Sequence, residues 1–394
     1  MSFQISRRQL LGGAVGLAAL AARRRLMGEA SAQSVPQPAV LVIFLTGGYN
    51  ALFGSADSFA SAGTFGVTGS NTLNVGNGLV VDASTFGALG NSSLQQMAQV
   101  GINHGHSSHD TAEAIAWTYN GQSAALQLAS ALGGTAAIRC AVMGSQFPQG
   151  PQGTVAGISM QQVTDLKPAI NALGGGAANP LVPERVAAAD ALRTSKAMSG
   201  DALTASPTSL VSLQQAMDAS VATLTAPAQA FSYSALASAY GVAATNTGVG
   251  NFTMQMLGAE LMMLAGANVV TAVTGFNWDS HGDTDGSGVR RQMSALILPG
   301  LKTFLQRNVG ATGRNITVAI LGDFARSLPG SDHASVSSAT VFGPRVKVGT
   351  TGRVTSSVGL PNAPDMAGFW SYLATLTGSP TNPFGPNPHS SIML

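Results

Sequence analysis

The chain has 394 residues, of which only 9% are charged, and a formal net charge of +2. An ordinary globular chain is about 25% charged, so the expectation is a compact fold with small-residue packing, with no basic stripe to serve nucleic acid. Hydrophobic residues make up 45%, which excludes a disordered chain, and the lone Cys140 excludes an internal disulfide.

Ser6-Arg7-Arg8-Gln9-Leu10-Leu11 sets an arginine pair directly before an uncharged run from Leu10 to Ala22. That run is too short to span a hydrocarbon core of ~30 Å as a helix, which takes about 20 apolar residues. A positive segment, a short apolar run and then small residues read as a targeting sequence, and the paired arginines specify the twin-arginine route. Arg23, Arg24 and Arg25 behind the run fit that route better than general secretion. Ala30-Ser31-Ala32 supplies the cleavage pattern, so residues 1–32 are expected to be removed and the mature chain to start near Gln33. The expectation is a periplasmic or secreted protein with no stable membrane span after cleavage. The five arginines and Glu29 of the segment carry a net +4, which leaves the mature chain at about −2. A route that carries folded proteins agrees with a lone cysteine, read here as a small buried hydrophobe on a strand.

Ala39-Val40-Leu41-Val42-Ile43-Phe44-Leu45 is a continuous apolar run that stops at Gly47-Gly48, the pattern of a strand buried on both faces. Residues 54–92 are rich in Gly, Ser, Asn and Thr and read as loops and short strands. A helix is expected from Ser108 or Asp110 to Leu132, with Ile115, Leu126, Leu128 and Leu132 among its apolar positions and Asn120-Gly121 as an interruption. Thr135 to Met143 reads as a second strand. Residues 145–208 are irregular, with Pro148, Pro151, Gly174-Gly175-Gly176 and Pro180. Residues 209–224 and 251–266 read as helices, and the β-branched run Asn268 to Thr274 as a strand. Met293, Leu296, Ile297, Leu301, Phe304 and Leu305 fall at helical spacing between Val289 and Arg307, with Pro299 expected to kink or divide that helix. Asn315 to Leu321 is another buried strand, and Asp365 to Leu376 a last helix before a Pro-rich tail. Strands alternating with helices predict an α/β fold with a mainly parallel sheet, whose ligands bind outside the carboxyl ends of the strands.

The polar residues concentrate at those ends. Asn103-His104-Gly105-His106-Ser107-Ser108-His109-Asp110 precedes a helix. Trp278-Asp279-Ser280-His281-Gly282-Asp283-Thr284-Asp285 follows the strand ending at Thr274. Asp323-Phe324-Ala325-Arg326-Ser327 and Gly330-Ser331-Asp332-His333 follow the strand ending at Leu321. Imidazole and carboxylate without thiolate suit zinc, manganese or another hard-to-borderline divalent ion. Each cluster also has a plainer reading. Asp279 and His281 form a hydrogen-bonded loop pair, Asp283 and Asp285 are solvated, His104 and His106 lie outside any ligand shell, and His389 is solvated in the tail. The rest of a calcium-binding loop is missing around Asp279 and Asp283, which excludes an EF-hand.

Phe44-Leu45-Thr46-Gly47-Gly48-Tyr49-Asn50 resembles the opening strand of the DUF1501 family, an exported group related to the alkaline phosphatase and sulfatase superfamily. Ser108-His109, Trp278-Asp279-Ser280-His281, Asp323-Phe324-Ala325-Arg326, Gly330-Ser331-Asp332-His333, the strand Ala339-Thr340-Val341-Phe342-Gly343 and the helix at Asp365-Met366-Ala367 resemble its later blocks in order. The resemblance runs from about Ala39 to Gly385 and is poor over 145–250. It implies an alkaline phosphatase-like three-layer sandwich over 33–394, a single domain with an irregular insertion at about 145–250. It implies one or two divalent ions (zinc, manganese or calcium) on Asp279, His281, Asp323 and His333, with Asn50 offering a carbonyl oxygen where the family has an acid. Ser108, or else Ser107, would be the nucleophile at a helix N-terminus, which favours an anionic ester. Arg326 would grip an ester oxygen, its alternative being a salt bridge to Asp323 or Asp332.

The function implied is a metal-dependent hydrolase acting on phosphate or sulfate esters, its partner a small anionic ester. The alternative is a non-catalytic exported protein that binds an envelope protein or glycan or serves envelope assembly, to which the uncharged Asn50 points. A redox protein has no support from a cysteine cluster, a haem motif or a dinucleotide-binding glycine pattern.

Overall fold

The computed structural model describes residues 38–134, 136–173, 190, 232–311, 313–327, 333–360 and 362–394. The targeting segment 1–32, the helix expected over 209–224, and Ser331 and Asp332 lie outside the described residues. The chain divides into two units, Met1–Val35 with Pro168–Ala235 and Pro36–Lys167 with Leu236–Leu394. The second unit contains the central sheet and all three polar clusters. Among the described residues no helix is long and apolar enough to cross a membrane.

An eight-stranded sheet forms the centre. Its strands are β1 (Pro38–Leu45), β2 (Met97–Asn103), β3 (Cys140–Met143), β4 (Met160–Val163), β5 (Val269–Val273), β6 (Asn315–Gly322), β7 (Val336–Phe342) and β8 (Gly349–Thr350), in the order β8-β2-β7-β6-β1-β5-β3-β4. Only β7 runs against its neighbours β6 and β2; every other pairing is parallel. Phe44 on β1 is level with Val273 on β5 and Leu321 on β6, so the three strands end at one edge. β2 also ends there and β7 begins there, so the loops after β1, β2 and β5 and the loop joining β6 to β7 share that edge.

Ala39 through Leu45 are all buried, as the continuous apolar run requires of a strand covered on both faces. Val40, Val42 and Phe44 join a core with Trp117, at the end of α1 (His109–Trp117), and with α2 (Ala124–Leu132) and α5 (Met366–Thr377). α3 (Phe252–Leu264) packs on β5 and β3, and α4 (Leu298–Asn308) packs on α3. Each Val, Leu, Ile or Phe buried in this way contributes about 1.5–3 kcal/mol. The architecture is mixed α/β, compatible with a three-layer sandwich.

α3 buries an acid, Glu260, which is fully satisfied. It accepts from Arg307 Nη2 at 2.8 Å, Tyr240 Oη at 2.8 Å and Asn308 Nδ2 at 3.1 Å. Burial alone would raise its pKa, but those donors outweigh it and hold the carboxylate below its usual value.

The helix expected over 108–132 is two helices. Thr118–Tyr119 pairs antiparallel with Gln122–Ser123, and the turn between them has Asn120 at φ +49 and Gly121 at φ +72. Two successive left-handed residues make a tight hairpin turn, which Asn-Gly adopts at little cost. Ser123 then caps α2, its hydroxyl accepting from Leu126 N at 3.4 Å. Between Val289 and Asn308 the chain runs as an α segment (Ser287–Gln292), a π segment (Met293–Ile297) and α4. Pro299 has no N–H and its ring crowds the carbonyl four residues back, and the wider π turn falls there. The strand expected from Thr135 starts only at Cys140. β2 and β4 were not expected from the sequence. β4 lies inside the stretch read as irregular.

Candidate functional site

The loops after β1, β5 and β6 meet because glycines let them. A side chain on Gly47 (φ +100) would place its Cβ 1.9 Å from Asn277 Oδ1, and one on Gly48 (φ +135) would lie 2.5 Å from Arg326 Cγ. A Cβ on Gly322 would lie 2.6 Å from Tyr49 N. With these atoms absent, Tyr49–Asn50 pairs in parallel with Ala325–Arg326. The pairing carries Arg326 into the space between the three loops.

Arg326 is 0% exposed. Its Nε donates to Gly47 O at 2.8 Å, and its Nη2 lies 3.2 Å from Asp279 Oδ1. Nη1 reaches His281, 2.9 Å from Nδ1 and 3.2 Å from Nε2, and Nη2 is 3.4 Å from His109 Nε2. The guanidinium carbon sits 5.0 Å from the centre of the Phe324 ring, within cation–π range.

Around it stand three imidazoles whose protons are assigned by their partners. His109 Nδ1 lies 2.5 Å from Asp323 Oδ2, His281 Nδ1 bonds Asp279 Oδ1, and His333 Nδ1 lies 2.8 Å from Ser107 O. A carboxylate or carbonyl oxygen accepts, so in the neutral rings of His109 and His333 Nδ1 carries the hydrogen and Nε2 is bare. A guanidinium has only donors, which agrees with the bare nitrogen of His109 facing it, while Nδ1 of His281 lies against both Asp279 Oδ1 and Arg326 Nη1. His333 Nε2 is buried and has no hydrogen-bond partner among the described residues. The rings lie close together, with centroids 4.5 Å apart for His109 and His333 and 5.1 Å for His281 and His333. Phe324 stacks on His333 at 4.4 Å.

Burial raises the pKa of Asp323, and the hydrogen bond from His109 works against that rise. Burial also opposes charge on Asp279, but the N–H groups of His281 and the charge of Arg326 outweigh it and hold Asp279 below the usual carboxylate value. His333 is lowered, first by burial and then by Arg326 and the other two imidazoles, against the opposing Ser107 carbonyl.

The site therefore brings together five of the residues expected from sequence: Asp279, His281, Asp323, Arg326 and His333. Some of these play a different part. Among the described residues Arg326 forms its salt bridge with Asp279 instead of Asp323, and its N–H groups go to protein partners where an ester oxygen was expected. Asp279 and Asp323 hold histidines. Asn50 is occupied as a cap, with Oδ1 accepting from Leu52 N at 3.0 Å and Nδ2 donating to Ser280 Oγ at 3.4 Å. Ser108 is exposed at the head of α1 and its side chain makes no capping bond there. The alternative, Ser107, supplies its carbonyl to His333.

Two residues beside the cluster were not singled out from sequence. His109 was read only as the partner of Ser108, yet as the first residue of α1 it reaches Asp323. Glu113, one turn later on α1, is buried, and its pKa is pushed up to about 7 by burial first, with Asp323 and Asp110 adding to the rise. The His-x-x-x-Glu spacing on one helix face was the available signal.

Outside the cluster, Asp283 Oδ2 accepts from Val289 N at 2.8 Å and Asp285 Oδ1 from Ser287 N at 2.9 Å, so both support the start of the next helix. His106 is exposed, whereas His104 is buried beside the Val336 backbone, and burial lowers its pKa to about 4. His389, expected in solvent, is fully buried, with Nδ1 2.6 Å from Thr351 Oγ1. A shallow cleft bounded by Arg139, Ile158 and Gln161 lies where β3 and β4 begin, at the opposite edge of the sheet.

A divalent ion was expected on Asp279, His281, Asp323, His333 and Asn50. As these groups stand, the carboxylates are bound to imidazoles, the Asn50 oxygen caps a backbone N–H, and His109 and His281 face the guanidinium of Arg326. Among the described residues no group of three or more His, Cys, Asp or Glu side chains is placed to hold a metal ion. Comparison with protein-family models, curated proteins and solved structures returned no match to this chain.

Proposed function

We propose that the chain is an exported hydrolase-like protein acting on phosphate or sulfate esters, on an alkaline phosphatase-like scaffold. One observation carries this reading: three imidazoles cluster at the carboxyl edge of a mainly parallel sheet, beside the exposed hydroxyl of Ser108 at a helix head. A helix N-terminus offers free N–H groups to an anionic ester, which would there meet Ser108 as nucleophile. Attack by a serine needs a base to take its proton. His333 fits that part, being tied to the Ser107 carbonyl and bare at Nε2. Asp323 would hold the His109 ring in place beside it.

The test is turnover of aryl phosphate and aryl sulfate monoesters by the mature chain. Ser108→Ala is expected to lower kcat by about 100-fold or more with the fold unchanged by circular dichroism, and His333→Ala to do the same. Equal turnover by wild type and Ser108→Ala would remove the serine from the mechanism. The alternative is a non-catalytic binding or envelope-assembly protein. The capping role of Asn50, which brings no charge to the site, favours it, and ester binding without turnover would establish it.

A further inference from the structure

We infer, resting on the reading that this cluster is the working site, that the cation it is built around is the guanidinium of Arg326, in the place where a divalent metal ion was expected. Histidines that bind a metal present one bare nitrogen and have the other N–H fixed by a carboxylate or carbonyl. His109 meets both conditions through Asp323, and His281 has its Nδ1 against Asp279. Yet His109 Nε2 points at Nη2 of Arg326 at 3.4 Å, and Nη1 lies against both nitrogens of His281, 2.9 Å from Nδ1 and 3.2 Å from Nε2. Arginine keeps its charge at every accessible pH, so a divalent ion on those nitrogens would have to share them with a fixed neighbouring positive charge.

The seat is backbone-built. Gly47 O takes Nε at 2.8 Å, and a Cβ on Gly48 would lie 2.5 Å from Cγ and 2.9 Å from Nε of the same side chain. Asp279 and the Phe324 ring close two further sides. Three contacts from three loops, and the missing side chain of Gly48, therefore make room for one guanidinium that is fully buried. Removing it while keeping its surroundings would leave two carboxylates and three bare imidazole nitrogens with no cation among them. Arg326→Met should therefore turn the cluster into a metal-binding site.

The test uses the full mature chain, dialysed against EDTA at pH 6, with cobalt(II) followed by visible absorption and inorganic phosphate by calorimetry. The wild type is expected to take up no stoichiometric cobalt and to bind phosphate within twofold of its affinity before dialysis. Arg326→Met, checked for folding by circular dichroism, is expected to bind one cobalt ion and to lose at least tenfold in phosphate affinity; His109→Ala in that background should abolish the cobalt spectrum. Where the methionine variant does not fold, Arg326→Lys keeps the charge and is expected to exclude cobalt as the wild type does. Stoichiometric cobalt uptake by the wild type or the lysine variant, or phosphate bound only once a metal is supplied, overturns the inference. Phosphate bound by neither the metal-free nor the metal-loaded wild type sinks the ester reading instead, and the cobalt arms still decide the role of Arg326.

Discussion

Gly48 and Arg326 lie far apart in the chain, yet the absence of one side chain makes room for the other. Gly48→Ala would set a Cβ 2.5 Å from Arg326 Cγ and hold alanine at φ +135, a region closed to it. We expect a loss of roughly 2–3 kcal/mol in urea denaturation, with ester binding impaired in parallel. An unchanged midpoint would mean that the seat is softer than its geometry. Glu113 offers the opposite test. Its raised pKa means that burial favours the neutral form, so its stabilising contribution is full below about 4.5 and is lost as pH rises through about 7. Glu113→Gln removes the cost of charging it. The variant should be more stable than wild type at pH 8, by about 2 kcal/mol, and equal to it at pH 4. Greater stability at both pH values alike would assign the gain to packing.

At the scale of elements, capping decides where helices begin. Asp365 accepts from Gly368 N at 3.0 Å at the head of α5, the helix expected from Asp365 to Leu376 and found over Met366–Thr377. Asp365→Ala should cost about 1 kcal/mol, seen as a lower thermal midpoint; an unchanged midpoint would mean that the cap contributes nothing. Ser108 shows the contrast: it precedes α1 without capping it, which leaves its hydroxyl free for other work. The strands β1, β5 and β6 were legible because unbroken apolar runs bounded by glycine or polar residues have few alternatives. β2 was not, since Gln99 and Gly101 leave it no continuous apolar run, although Ala98, Val100 and Ile102 alternate with them. Both make sense only in three dimensions. Gln99 is buried and donates to Tyr49 Oη at 3.1 Å, and a Cβ on Gly101 would lie 3.0 Å from Gly352 Cα.

For the whole molecule, the C-terminal tail is an integral part of the fold. His389 is buried against Thr351 and Tyr372, and burial pushes its pKa down to about 4. A histidine neutral in the fold and protonated when unfolded stabilises fully above about 6.5, and that contribution is lost as pH falls toward 4. On the order of 3 kcal/mol is at stake, and buried His104 adds in the same direction. Urea titrations between pH 7.5 and 4.5 should show stability falling, with a shallower fall in His389→Gln. Parallel curves for the two proteins would show that the tail histidine does not titrate with unfolding.

The sequence by itself determined the class of fold, because apolar runs and helical spacing are local properties that few arrangements satisfy. It also determined which loops carry polar chemistry, because in so weakly charged a chain the clusters of His and Asp stand out against their surroundings. Only the tertiary structure decided what each group does. Whether Asp323 faces a histidine or an arginine, whether Asn50 is free or capping, and whether His389 meets water depend on segments brought together from distant parts of the chain. Arg326 was visible as a motif residue. Its burial against two imidazoles follows from Gly47 and Gly48 in the loop after β1 and from Gly322 at the end of β6, and no local pattern encodes that meeting.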